Sequence, residues 1–194
     1  RDARQQRHVV RLPLAEADVV YIGKAEVPSI IATVSTTHTN LRVIATHPLP
    51  PGGPDYSRLR NDQLEQLPDY VHSSLPVLLL GDLNVTPWNC HFRRLLARTG
   101  LRNSAKGYGV QPTWPKHNLF LRIPIDHCLH SANIFIVDRR VGESVSSDHY
   151  PVIVDFKIRT GETAAREAMD APADRIEAEN GPGFLPTYPI FKTT

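Results

Sequence analysis

Five short segments hold the side chains able to do chemistry: Ala45-Thr46-His47-Pro48, Gly81-Asp82-Leu83-Asn84, Pro112-Thr113-Trp114-Pro115, Ile125-Asp126-His127 and Ser147-Asp148-His149-Tyr150-Pro151. Asp82 and Asn84 stand two residues apart, so an extended backbone puts a carboxylate and a carboxamide on one face. Such a pair can hold a hydrated divalent cation, a water nucleophile or a phosphate oxygen. Gly-Asp followed by Asn is equally the composition of a tight turn. In Asp148-His149 the carboxylate suits a hard cation such as Mg²⁺, and the imidazole suits proton transfer or a hydrogen bond to a phosphoryl oxygen. Adjacent residues point apart on a strand, so these two meet only if the backbone turns; a solvated charge pair on a loop is the plainer alternative. Asp126 follows the apolar stretch Ile123-Pro124-Ile125 and needs a partner to offset its desolvation. An imidazole would serve, because an Asp-His pair orients the ring, fixes its tautomer and raises its basicity. His127 takes the opposite face of a regular strand and reads as a packed structural residue. His47 enters a proline-rich loop, where it suits phosphate donation and solvent exposure equally. Thr113-Trp114 reads as packing. Cys90-His91 and Cys128-x-His130 match no zinc spacing.

The elements that must position these residues follow from periodicity. Ser29–Ser35 and Leu41–Ala45 read as strands of a hairpin joined by Thr37–Asn40. The proline- and glycine-rich run after His47 is a loop, followed by a helix from Ser57 to about His72 that Pro68 must kink. The uninterrupted apolar run PVLLLGD fits a central strand buried on both faces. Thr86-Pro87 reads as a helix start, with Phe92, Leu95 and Leu96 lining one face and Gly100 ending it. Residues 102–119 read as loop, and Ile123–Leu129 and Tyr150–Ile158 as two further strands. Strands and helices alternate, which gives an α/β or layered α+β class.

The chain has 194 residues, 41% hydrophobic, enough for one domain with its own core. No run approaches the length of a membrane span, and two cysteines cannot form a disulfide scaffold. A soluble domain is expected, and nothing in the sequence names a compartment. The net charge of +2 conceals an asymmetry: residues 160–194 carry three basic and six acidic side chains, so residues 1–159 are at +5 with arginine well ahead of lysine. That excess favours an anionic substrate such as a phosphate ester, and is also ordinary for a soluble surface. The expected organisation is a domain over 1–159 and an acidic, peripheral tail over 160–194 without a core face.

In this order, H-P, G-D-L-N, T-W, I-D-H and S-D-H-x-P-V resemble the endonuclease/exonuclease/phosphatase superfamily, the fold of deoxyribonuclease I and exonuclease III type repair nucleases. The resemblance runs from about Ser29 to Phe156, and GDLNVTPWN, PTWP and IPIDH are similar to a bacterial subgroup often membrane-anchored upstream of the domain. It implies an α+β fold, a four-layer sandwich of two packed sheets flanked by helices. It also implies a hydrolase of phosphodiesters or phosphomonoesters that uses Mg²⁺ or Mn²⁺ and acts by direct attack of water. Asp82 would orient or deprotonate that water, and Asp82, Asn84 and Asp148 would serve the metal, with Asn84 also serving the phosphate. His149 would contact the phosphoryl oxygen and move a proton with Asp126 as its orienting partner, and His47 would be a second phosphate-stabilising imidazole. Members act on DNA, RNA, inositol phosphates and sphingolipids, so nucleic acid is one candidate partner; membrane contact is expected of an upstream anchor and not of this chain. The family's early strands, one bearing an Asn and one the principal metal-ligating Glu, have no counterpart here. Glu16 and Glu26 stand in the wrong contexts, so the chain is expected to be the C-terminal two thirds of the domain. Without that Glu, a phosphate-binding domain that does no catalysis is the alternative.

Overall fold

The computed structural model describes residues 12–159 and 188–190. Nine strands and three helices follow in chain order: β1 (Leu14–Ile22), β2 (Val27–Ser35), β3 (Asn40–Ala45), α1 (Pro54–Gln66), α2 (Pro68–Val71), β4 (Val77–Asp82), α3 (Cys90–Thr99), β5 (Arg102–Asn103), β6 (Asp126–His130), β7 (Ile134–Val141), β8 (Val152–Ile158) and β9 (Tyr188–Ile190). The first six-stranded sheet has the order β1-β2-β3-β4-β6-β5, and β7-β8-β9 form the second. The pairing β3-β4 is parallel and β4-β6 antiparallel.

Every residue of β4 is buried because this strand is covered on both faces. Its alternate residues divide between two cores. Val77 and Leu79 join Ile44 from β3 and Leu64, Phe92 and Leu95 from the helices. Leu78 and Leu80 join Val43 and Ala45 on the opposite face, against Val152, Val154, Phe156 and Ile158 from the second sheet. The period of two in the sequence thus becomes helices on one side of the large sheet and the small sheet on the other. The described residues supply three of the four layers expected: one helical layer and two sheets.

Several boundaries differ from expectation. The helix after the proline-rich loop begins at Pro54, where the missing N–H costs nothing because the first turn has no acceptor for it. It breaks between Leu67 and Pro68 as expected. The helix expected from Thr86-Pro87 begins only at Cys90, and the cap is Asn89, whose Oδ1 accepts from His91 N at 2.8 Å. Gly100 ends it with φ 68°. β6 begins at Asp126 and not at Ile123, since Pro124 has no N–H for the ladder. Ile123 pairs instead with Trp114 in an isolated bridge.

β1, β5 and β7 were not foreseen; β5 falls at the start of the expected loop over 102–119 and pairs with β6. β1 is an edge strand whose first half, with Glu16 and Asp18, is exposed, and only Val20 and Ile22 at its end reach the core. β9 adds a third strand beside β8 from within the expected tail. The rest of residues 160–194 lies outside the described residues.

Candidate active site

The polar residues gather where β3, β4 and β6 end. Beyond β3, Thr46 N donates to Leu80 O at 3.1 Å, which extends the parallel pairing by one residue. Thr46 is buried and its Oγ1 accepts from Gln63 Nε2 of α1 at 2.8 Å and lies 2.7 Å from Ser29 Oγ. This fixed threonine sets the starting point of the loop that carries His47. Beside it, Gly81 has φ +143°, and a Cβ there would stand 1.9 Å from Thr46 O. Only glycine permits this approach of the two strand ends.

The strand does not stay extended through Asn84. It ends at Asp82, and Asn84 is left-handed with φ 51°. Asp82 Oδ1 accepts from Asn84 N at 2.8 Å, the side-chain-to-backbone turn that Asp favours. The turn alternative is therefore realised, and within it both residues are buried and line one cavity of about 710 Å³. Asn84 Nδ2 donates to Pro48 O at 2.9 Å, leaving Oδ1 as its uncommitted atom.

All six residues singled out, His47, Asp82, Asn84, Asp126, Asp148 and His149, line that cavity. Register explains part of this: Asp82 on β4 pairs directly with Asp126 on β6. Two buried carboxylates on neighbouring strands need positive or hydrogen-bonding partners. His149 Nδ1 lies 2.9 Å from Asp126 Oδ2, and its Nε2 lies 3.8 Å from Asp82 Oδ2. His47 Nε2 approaches the same Asp82 oxygen at 3.4 Å. Burial pulls the His149 pKa down, but the Asp126 hydrogen bond and the charges of Asp126, Asp82 and Asp148 outweigh it, and the net shift is upward. Asp148 is exposed, and its Oδ2 accepts from Trp114 Nε1 at 3.2 Å.

Ligand atoms of Asp82, Asp126 and His149 all lie within 4.8 Å of one another. Two carboxylates beside a roomy cavity suit a hard divalent cation that keeps several waters. These oxygen donors, with Asn84 and Asp148 lining the same cavity, fit Mg²⁺ or Mn²⁺. Glu16 and Glu26 are exposed and do not line the cavity.

His127 is the packed residue expected: it is buried, its Nε2 lies 2.7 Å from Val85 O, and its ring centroid lies 4.4 Å from that of Phe92. Trp114 corrects the packing expectation. It is 36% exposed, lines the cavity and stands 6.2 Å from the His149 ring, centroid to centroid. Arg60 was missed altogether. It sits on the buried face of α1 with Gln63 and Leu64 and lines the same cavity; in a helix this polar, no apolar background set it apart in the sequence.

The model of the endonuclease/exonuclease/phosphatase family matches residues 9–149. The chain belongs to this family. Among solved structures it is similar to an endonuclease/exonuclease/phosphatase protein of Beutenbergia cavernae, with TM-score 0.66 and 22% identity over 76% of this chain and 46% of that one. The catalytic domain of human nocturnin, solved with a bound sulfate anion, aligns with TM-score 0.63 and 16% identity over 77% of this chain and 61% of that one. TDP2 of D. rerio, in complex with a single-strand DNA product, gives 0.60 and 15% over 75% and 68%. These likenesses establish the fold. The chain thus spans about half of the first relative's length and three fifths of nocturnin's. No match is found among curated proteins. Among the described residues of this family member, no helix is long and apolar enough to cross a membrane.

Proposed function

We propose that the chain is a divalent-metal-dependent phosphoesterase that hydrolyses a phosphodiester or phosphomonoester by direct attack of water. The observation that carries this reading is the arrangement around Asp82: two imidazoles, His47 and His149, approach one carboxylate oxygen at 3.4 and 3.8 Å, and the second imidazole is held by Asp126. Membership of a family of endonucleases, exonucleases and phosphatases supports the same reaction class.

In this reading Asp82 takes the proton of the attacking water while a new O–P bond forms and the ester P–O bond breaks. Asp126 holds His149 by Nδ1, which leaves Nε2 for a phosphoryl oxygen and for proton transfer to the departing oxygen. His47 offers a second donor to the phosphoryl oxygens. The upward shift of the His149 pKa favours its charged form where negative charge develops. A cation would be held by Asp82, with Asn84 Oδ1 and Asp148 as further donors, and would neutralise charge on the phosphoryl oxygens. The catalytic domain is the unit expected over 1–159, completed by β9 beside β8. Candidate substrates include nucleic acid, in keeping with the DNA product bound to the TDP2 relative.

The test is hydrolysis of bis(4-nitrophenyl) phosphate by the whole chain with Mg²⁺ or Mn²⁺ against chelator, with His149→Ala as control. Metal-dependent turnover lost in the variant supports the reading. A folded protein without turnover would replace it with a phosphate-binding domain that does no catalysis.

A further inference from the structure

Arg60 is 8% exposed, and no carboxylate forms an ion pair with it among the described residues. Its Nε and Nη2 both donate to Asn61 Oδ1, at 3.1 and 2.8 Å, and Nη1 donates to Asn84 O at 2.8 Å. Three of the five guanidinium N–H groups are thereby used, and two remain. Burial lowers the Arg60 pKa, and no acidic neighbour opposes that shift. A buried cation without a counter-ion is costly, so a cation kept this way at a cavity wall is provided for by a ligand.

Arg60 and Asp82 line the same cavity. Arg60 reaches the site through the carbonyl of Asn84, while Asp82 holds the amide of the same residue. Two residues beyond Asn84, Thr86 lines the same cavity, as do Asn89, whose N donates to Thr86 O at 3.1 Å, and Pro50, Pro51 and Gly52. Asn89 spends Oδ1 on the cap of α3, so its Nδ2 remains a donor. Thr86 adds a hydroxyl. Asn61 and Asn84 hold the guanidinium plane, which prepares a fork for phosphate geometry before any ligand arrives.

We propose that Arg60, Thr86 and Asn89 form a second anion subsite, which takes a phosphate group additional to the one being hydrolysed. The preferred substrates are then esters carrying two neighbouring phosphates, such as a phosphorylated nucleotide end or a diphosphate-bearing small molecule. This rests on the hydrolase reading for its meaning but not for its test, which reads binding and not turnover.

The experiment is calorimetric binding of imidodiphosphate and of inorganic phosphate to the whole chain, with magnesium in equal excess. A charge-assisted forked contact corresponds to roughly ten- to hundredfold in affinity, so imidodiphosphate is expected to bind at least about tenfold more tightly than phosphate. Arg60→Gln should bring that ratio near one, and Thr86→Val should lower it without touching the Asn84 carbonyl. A wild-type ratio near one overturns the proposal, as does a folded Arg60→Gln protein that keeps the wild-type ratio. Should Arg60→Gln fail to fold, the wild-type ratio and Thr86→Val decide, and an unchanged ratio in Thr86→Val counts against the subsite. Selective binding in a protein without turnover would sink the hydrolase reading alone.

Discussion

His149 and Asp126 stand 2.9 Å apart, Nδ1 to Oδ2, from elements 23 residues apart in the chain. The carboxylate is buried and begins a strand, so it is the fixed member, and the imidazole on the loop before β8 is the member being oriented. Asp126→Asn keeps the size of the side chain but removes its charge, and its amide favours the wrong ring tautomer. Steady-state kinetics on bis(4-nitrophenyl) phosphate should show kcat about 10²-fold lower, with KM changed far less. An unchanged kcat in a folded variant would mean that the pair does not serve the reaction.

Asp82 is the group on which both imidazoles and the cation reading converge. Asp82→Ala should remove roughly 10²-fold or more of the activity at any magnesium concentration. Asp148 contributes differently, since it is exposed and is held in place by the Trp114 indole at 3.2 Å. Asp148→Asn and Trp114→Phe should therefore raise the magnesium concentration needed for half-maximal rate several-fold, more for the former. Magnesium titrations that superimpose on wild type for both variants would remove Asp148 from the cation's ligands.

The chemistry was more legible in the sequence than the strand count. His47 and Asp82 could be placed because each stands where an apolar run gives way to turn residues, and Asp126 because it is a carboxylate beside an apolar stretch that needs a partner, which the imidazole of His149 supplies. β1 was overlooked because it is an edge whose first half carries Glu16 and Asp18, and its one apolar run, Val19 to Ile22, is short. β7 was hidden by its charged second half, Asp138, Arg139 and Arg140, of which Arg139 is buried. Asn84 shows the limit of spacing arguments. The i, i+2 rule placed it beside Asp82, and it does line the same cavity, but through a left-handed turn that the rule does not contain. Arg60 and Trp114 escaped because one was read only for helix periodicity and the other only as core.

Gly81 ties the fold to the site. A Cβ at this position would stand 1.9 Å from the Thr46 carbonyl, which is backbone and cannot swing away, and φ +143° is itself unfavourable to any other residue. Gly81→Ala must part β3 from β4 at the point where His47 and Asp82 leave them. A loss of at least about 2 kcal/mol in denaturant unfolding is expected, with activity reduced in the fraction that folds. Wild-type stability would show that the two strand ends can separate freely.

His127 predicts how stability depends on pH. Burial pushes its pKa down to about 4, with the nearby Arg139 charge acting the same way and the Val85 hydrogen bond and Asp126 charge only partly opposing. In the unfolded chain the same imidazole titrates near 6.5. Above about 6.5 it is neutral in both states and adds no pH dependence. As pH falls from there toward 4, the unfolded state takes up a proton that the folded state refuses, so stability declines, and it levels off once both states are protonated. The decline attributable to this residue is roughly 3 kcal/mol. His127→Gln retains a donor for the Val85 carbonyl and has no titration in this range. It should be less stable than wild type at neutral pH through lost packing on Phe92, and the gap should narrow by about that amount on acidification to pH 4. Parallel curves of unfolding free energy against pH for the two proteins would show that His127 is not buried as a neutral ring.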